Sequence, residues 1–148
     1  MDHFINFGVC PQFIPLWEEL SPVDHIRFFS RIKGLSTSEV EINTNFFLRA
    51  MGLDEYKDTL AKNLSSGNKK KLAATIAMIG APQCIFFDEP TSGVDIVSKR
   101  KLLIGINAFV KNNGSSILYT TNSLDEAEDI CHKIGIHFQL LISTESDY

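Results

Sequence analysis

The chain has 148 residues, 44% hydrophobic and 22% charged, which is enough for one domain with a real core and excludes a disordered composition. Its net charge of −4 argues against non-specific nucleic-acid binding, which needs a basic face, so no nucleic-acid partner is expected. No stretch approaches the roughly 20 apolar residues that span a bilayer, and the start of the chain lacks the basic and apolar regions of a signal peptide.

Ile5, Phe7 and Val9 alternate with smaller or polar residues, a strand pattern that ends at Pro11 and Gln12. Ser21-Pro22 reads as an N-cap with proline in the first turn. Ile26, Phe29 and Ile32 form its helical stripe, and Gly34 stops it. Residues 36–38 can cap a second helix that carries Phe46, Phe47 and Met51 and ends at Gly52. Residues 54–63 are polar and read as mostly helical or irregular. From Gly67 the pattern is helical again, with Leu72, Ile76 and Ile79 on one face, and Gly80-Ala81-Pro82 ends it. Lys69, Lys70 and Lys71 form the one basic cluster and are expected on a solvated face. Residues 84–87 are uninterruptedly apolar, which suits a central parallel strand buried on both faces. A helix with Val97, Leu102, Leu103, Ile106, Phe109 and Val110 follows, closed by Asn112-Asn113-Gly114. Residues 117–121 read as the next strand. Ser123 with Glu126 forms a capping box for a helix through Ile130, and residues 134–138 read as a last strand.

Strands alternating with helices imply an α/β domain with a mostly parallel sheet. Residues 21–63 contain helices without strands and read as an all-helical subdomain. Cys10, Cys84 and Cys131 have no disulfide or metal spacing and are expected to be inert buried thiols in a reducing compartment. The four histidines form no metal motif.

Two segments carry chemistry. Asp88 and Glu89 stand where an apolar strand ends, and in open α/β sheets ligands gather outside the carboxyl ends of strands. Adjacent carboxylates there suit divalent-metal binding by Asp88, with Glu89 orienting or deprotonating an attacking water. The plainer reading is an acidic helix cap. Ser65, Ser66 and Gly67 precede a helix, whose N–H groups and dipole favour an anion. The plainer reading there is an ordinary serine N-cap.

Leu64-Ser65-Ser66-Gly67-Asn68 followed by Cys84-Ile85-Phe86-Phe87-Asp88-Glu89-Pro90 resembles the signature loop and Walker B strand of the ATP-binding cassette (ABC) ATPases. The resemblance runs from about residue 4 to 135, the later two-thirds of an ABC nucleotide-binding domain. It implies a partial P-loop NTPase-type fold, with residues 64–138 as the core and 139–148 as a divergent tail. Gln12 resembles the Q-loop glutamine, which in the family touches metal and nucleophilic water. Ser92-Gly93-Val94-Asp95 resembles the D-loop at the dimer interface, and Asn122 falls where the switch histidine lies. Cys10-Pro11-Gln12 and the run Gly67-Asn68-Lys69-Lys70-Lys71-Leu72 look most like the A-type lipid exporters. The resemblance thus implies ATP and Mg²⁺ as cofactors. Glu89, Gln12 and Asn122 would be catalytic, and Asp88 and Gln12 would serve the metal. Ser65, Ser66, Gly67, Asn68 and Asp95 would contact nucleotide. The implied partners are a second nucleotide-binding domain, head to tail, and the transmembrane domains of a transporter, at the cytosolic face of a membrane.

Four departures shape that expectation. No Gly-x-x-x-x-Gly-Lys-Ser/Thr phosphate loop occurs in the chain, and it is expected upstream of Met1. Ser66 replaces a glycine of the signature. Asn122 replaces histidine and can hydrogen-bond a phosphate but cannot carry a proton. After Gly135 the sequence leaves the family's strand-and-turn pattern, which reads as a truncated or mis-spliced product. The isolated chain is therefore expected to bind ATP weakly, turn over little and be marginally stable, with an apolar edge of the central strand exposed. The competing readings are a soluble ABC-like ATPase of the DNA-repair class and a non-catalytic regulatory module. The first is disfavoured by the lack of sustained heptads in residues 22–63.

Overall fold

The computed structural model describes residues 7–137. Ile5, Phe138 and the tail at 139–148 lie outside the described residues. Three parallel strands form one sheet in the order β1 (Phe7–Cys10), β2 (Cys84–Asp88), β3 (Ser116–Thr120). Helices α1 (Pro22–Ile32), α2 (Thr37–Ala50) and two short 3₁₀ turns separate β1 from α3 (Ser66–Met78). Helix α4 (Ile96–Asn113) connects β2 to β3, and α5 (Leu124–Ile130) follows. The mixed helix–strand, all-parallel architecture is the α/β fold expected from the alternation of patterns.

The helix boundaries follow their local chemistry. Ser21 and Ser36 each form a capping box, with Asp24 and Glu39 reaching back to the N-cap backbone. The Asp95 carboxylate accepts from the N–H groups of Val97 (3.0 Å) and Ser98 (2.9 Å) to start α4. Gly114 ends that helix with φ of 65°, a conformation glycine adopts freely. Residues 134–137 have no regular structure, so the expected last strand does not form among the described residues.

Four packing expectations are corrected. Helix α3 is buried nearly all round, because its small residues Ala73, Ala74 and Ala77 let neighbours approach from several sides. Lys70 and Lys71 are each 4% exposed and do not form a solvated face. Strand β2 is buried on one face only: Ile85 and Phe87 point inward, while Phe86 is exposed. With β1 and β3 on either side, β2 is not an edge. What stays open is a sheet face carrying Phe7, Val9, Phe86 and Leu118.

The opposite face packs on α3 so closely that a Cβ at Gly8 would meet the Ala77 carbonyl oxygen at 1.9 Å. One contiguous core joins Ile85 and Phe87 of the sheet, Leu72 and Met78 of α3, Leu102 and Ile106 of α4, and Ile26, Phe47 and Met51 of the helical segment. Cys10 is fully buried there, and burial pushes its thiol up to about 11, so it is inert at neutral pH. Cys84 and Cys131 are only half-buried.

His25 is fully buried in α1. Its Nε2 accepts from the Trp17 N–H (3.0 Å), so its Nδ1 carries the proton donated to the Ser21 carbonyl (2.9 Å). Burial holds its pKa below the ordinary 6.5, against the Ser21 hydrogen bond and the Asp24 carboxylate, which favour the charged form. The unfolded chain then binds the extra proton first. Stability is complete above about pH 6.5 and falls as pH drops below it, by at most about 1.4 kcal/mol per unit. Denaturant melts between pH 7.5 and 5.5 are expected to show this slope, and His25→Asn to flatten it.

Candidate functional site

Because the three strands are parallel, their C-terminal ends share one edge of the sheet, where a binding crevice belongs. Gln12 follows β1, Asp88 and Glu89 end β2, and Thr120 ends β3. Gln12 Nε2 donates to Glu89 Oε2 at 3.1 Å across 77 residues of sequence. Thr120 Oγ1 donates to Asp88 Oδ1 (2.6 Å) and accepts from the Glu89 N–H (3.0 Å), which also points at the Thr120 carbonyl (3.1 Å). These bonds hold Glu89 at φ of 42°, a sparsely populated conformation for a residue with a Cβ. Glu89 is half-buried and Asp88 is exposed, so the pair opens to solvent rather than facing the core. The sequence places Thr120 in the Thr120-Thr121-Asn122 stretch at the switch position, but only strand pairing brings it beside the acids.

The expected nucleotide-contacting residues form a separate group. Ser65 is the N-cap of α3 and its side chain accepts from the Asn68 N–H (3.2 Å), so the serine N-cap reading is correct as far as it goes. The turn lies at a helix start, with Ser65 and Ser66 exposed. A Cβ at Gly67 would meet the Ser98 side chain at 2.8 Å and Asp95 Oδ2 at 3.5 Å. Asp95, whose carboxyl is held below its usual range by the Ser98 N–H, caps α4 beside this turn. Within one chain the turn therefore neighbours the 93–98 segment, while Glu89 contacts Gln12. Asn122 is exposed, and among the described residues its side chain makes no hydrogen bond to either group.

Two residues escaped the sequence reading. Glu126 does not cap α5; Ser123 makes no side-chain cap bond. Glu126 is instead 3% exposed and accepts from Thr91 Oγ1 (2.8 Å), Tyr119 OH (2.9 Å) and Thr121 Oγ1 (3.0 Å), with the Lys99 ammonium completing its shell. Burial opposes its ionisation, but Lys99 and the three hydroxyls outweigh burial and hold it below the usual glutamate value. The same burial, with the neighbouring carboxylate, raises the Tyr119 phenol. The carboxylate thus ties the segment after Glu89 (Thr91) to the segment before Asn122 (Thr121). Its i, i+4 spacing with buried Ile130 was the available cue. The second residue is Lys70, whose Nζ donates to the carbonyls of Gln12 (2.6 Å) and Glu89 (3.5 Å). Lys71 Nζ donates to the Gly52 carbonyl (3.2 Å), and burial lowers its pKa.

The donor set at the sheet edge is all oxygen, a carboxylate and an amide carbonyl, which fits a hard cation such as Mg²⁺ that keeps water and substrate phosphates as its other ligands. Among the described residues, no three or more His, Cys, Asp or Glu side chains converge as a metal cage, and that mode of binding requires none. Also among the described residues, no helix is long and apolar enough to cross a membrane.

The family model described as "ABC transporter" matches residues 3–92. The retinal-specific phospholipid-transporting ATPase ABCA4 of Homo sapiens is 36% identical over 131 residues, which is 88% of this chain and 6% of that protein. The chain thus spans a small part of the length of this relative. Among solved structures, an ATP-binding subunit of an ABC transporter superposes with a TM-score of 0.74 at 31% identity, covering 86% of this chain and 52% of that one. A dimeric post-hydrolysis state of an ATP-binding cassette bound to ADP and Pi superposes with a TM-score of 0.73. At 19% identity, over 82% of this chain and 54% of that one, it shares the fold.

Proposed function

This chain belongs to the ABC transporter family, as part of its ATP-binding domain, and on that premise we propose that it binds and hydrolyses ATP to drive transport across a membrane. The observation that carries the proposal is the Gln12–Glu89 contact at 3.1 Å at the C-terminal edge of the sheet, with Asp88 beside it. In this reading Glu89 takes the proton of a water as its oxygen bonds to the γ-phosphorus and the bond to ADP breaks. Gln12 orients the Glu89 carboxylate and the water. Asp88 and the Gln12 carbonyl would hold Mg²⁺, which neutralises charge on the phosphates when bound.

Ser65, Ser66, Gly67 and Asn68 would serve a nucleotide held by a second domain. This assignment is supported by the exposed Ser65 and Ser66 at the helix start, with Gly67 and Asn68 buried behind them, and by the place of the turn beside Asp95 rather than beside Glu89. The partners proposed are therefore a second nucleotide-binding domain, head to tail, and transmembrane domains, at the cytosolic face of a membrane. Residues 21–63 would be the helical subdomain facing those domains and residues 64–138 the ATPase core. Lipid is the proposed cargo, on the strength of the phospholipid-transporting relative alone. By itself the 148-residue chain would turn over little ATP, because its sequence holds no Gly-Lys phosphate loop and Asn122 stands where a histidine is usual.

Gly67→Asp tests the cross-subunit assignment. In a polypeptide that also carries a phosphate loop, the new carboxylate would oppose an anion at the helix start and crowd Ser98, lowering ATP turnover about tenfold or more. Turnover at the parent rate in the folded Gly67→Asp protein would remove the turn from the phosphate site.

A further inference from the structure

Resting on the ATPase reading, we propose that Lys70 is a positioning residue: from α3 its ammonium grips the backbone of both Gln12 and Glu89, and so sets the contact between their side chains.

Lys70 is 4% exposed, although an ammonium is costly to bury without compensation. None of the ion pairs among the described residues involves it. Its partners are main-chain carbonyls, Gln12 O at 2.6 Å and Glu89 O at 3.5 Å, which lie 58 and 19 residues away in sequence. The short bond has the length of a charge-assisted one. These two residues are the pair whose side chains meet at 3.1 Å, and Glu89 is held at positive φ. Lys70 extends from the first turns of the helix that Ser65 caps. A displacement of α3 would therefore pull on both carbonyls and alter the amide–carboxylate distance. A lysine serving packing alone would have no reason to place its charged end between two loops of the crevice. Beside the apolar packing of α3 on the sheet, Lys70 gives the helix that bears the signature turn a direct polar link to both loops of the catalytic edge.

The test is proton exchange at the Gln12 side-chain amide in the 148-residue chain, followed by nitrogen-resolved NMR without nucleotide. In the parent, Gln12 should exchange about tenfold more slowly than the exposed Gln83 amide, about the worth of one hydrogen bond to a carboxylate. Lys70→Met should remove that protection, and Lys70→Arg, which can still donate to carbonyls, should restore part of it. Equal Gln12 protection in parent and folded Lys70→Met overturns the proposal. Should Lys70→Met fail to fold, the parent decides: the Lys70 ammonium must exchange at least about tenfold more slowly than that of the exposed Lys111. Matching rates overturn the proposal. Slowed Gln12 exchange that is equal in parent and variant overturns the Lys70 link alone and leaves the Gln12–Glu89 contact that carries the ATPase reading intact, and failure of the Gly67→Asp test leaves the Lys70 link intact.

Discussion

Glu89→Gln is expected to lower ATP turnover about 10²- to 10⁴-fold in a polypeptide that carries both this segment and a phosphate loop, the usual worth of a positioned general base. Glutamine keeps the shape of the side chain and can still accept from Gln12 Nε2, now 3.1 Å from the carboxylate. What it loses is the charge and basicity that draw a proton from the attacking water. The strained backbone at φ of 42° and the Thr120 bonds to the Glu89 N–H are untouched by the substitution. Stability should therefore change by only about 0.5 kcal/mol, as for a partly exposed site. The measurement is phosphate release at saturating Mg²⁺-ATP beside a thermal melt. Retained turnover would assign the chemistry elsewhere. A second arm uses the 148-residue chain alone, where Mg²⁺-dependent turnover that Glu89→Gln abolishes would contradict the proposed dependence on a phosphate loop.

Glu126→Ala is expected to cost about 3 kcal/mol of folding free energy, the lower end for breaking a buried ion pair, because Lys99 keeps 32% of its side-chain surface in contact with water. The change strands an ammonium and the hydroxyls of Thr91, Tyr119 and Thr121 at once. For a chain of this size that corresponds to a melting point lower by roughly 10 °C. Glu126→Gln should cost less, since one acceptor oxygen survives. The sign of the pH effect follows from the lowered carboxyl. The stabilisation is complete above the ordinary value of 4.5 and fades as pH falls through the folded value. Glu126→Ala should therefore flatten the acid limb of the stability curve. An unchanged melting point would mean that Glu126 does not hold these partners together.

The sequence pattern located most elements, since capping serines, the Gly80 and Gly114 stops and the apolar runs act over a few residues. It failed where partners are remote. Ser123 and Glu126 have the spacing of a capping box, yet Glu126 turns inward because Thr91, 35 residues away, and Lys99 offer a better-satisfied site. Three consecutive lysines read as solvated, yet two are buried, because carbonyls of distant loops accept hydrogen bonds from their ammonium groups. The apolar strand 84–87 read as doubly covered, and only one of its faces is.

The chain by itself determined the order of helices and strands up to residue 130, the parallel sense of the sheet and the two acids at a strand end, because hydrophobic period and capping are local properties. Only the tertiary structure decided which groups meet. Gln12 with Glu89, Thr120 with Asp88, and Lys70 with both loops are joined by strand pairing and helix packing, and no spacing along a one-dimensional sequence encodes distances across 58 or 77 residues.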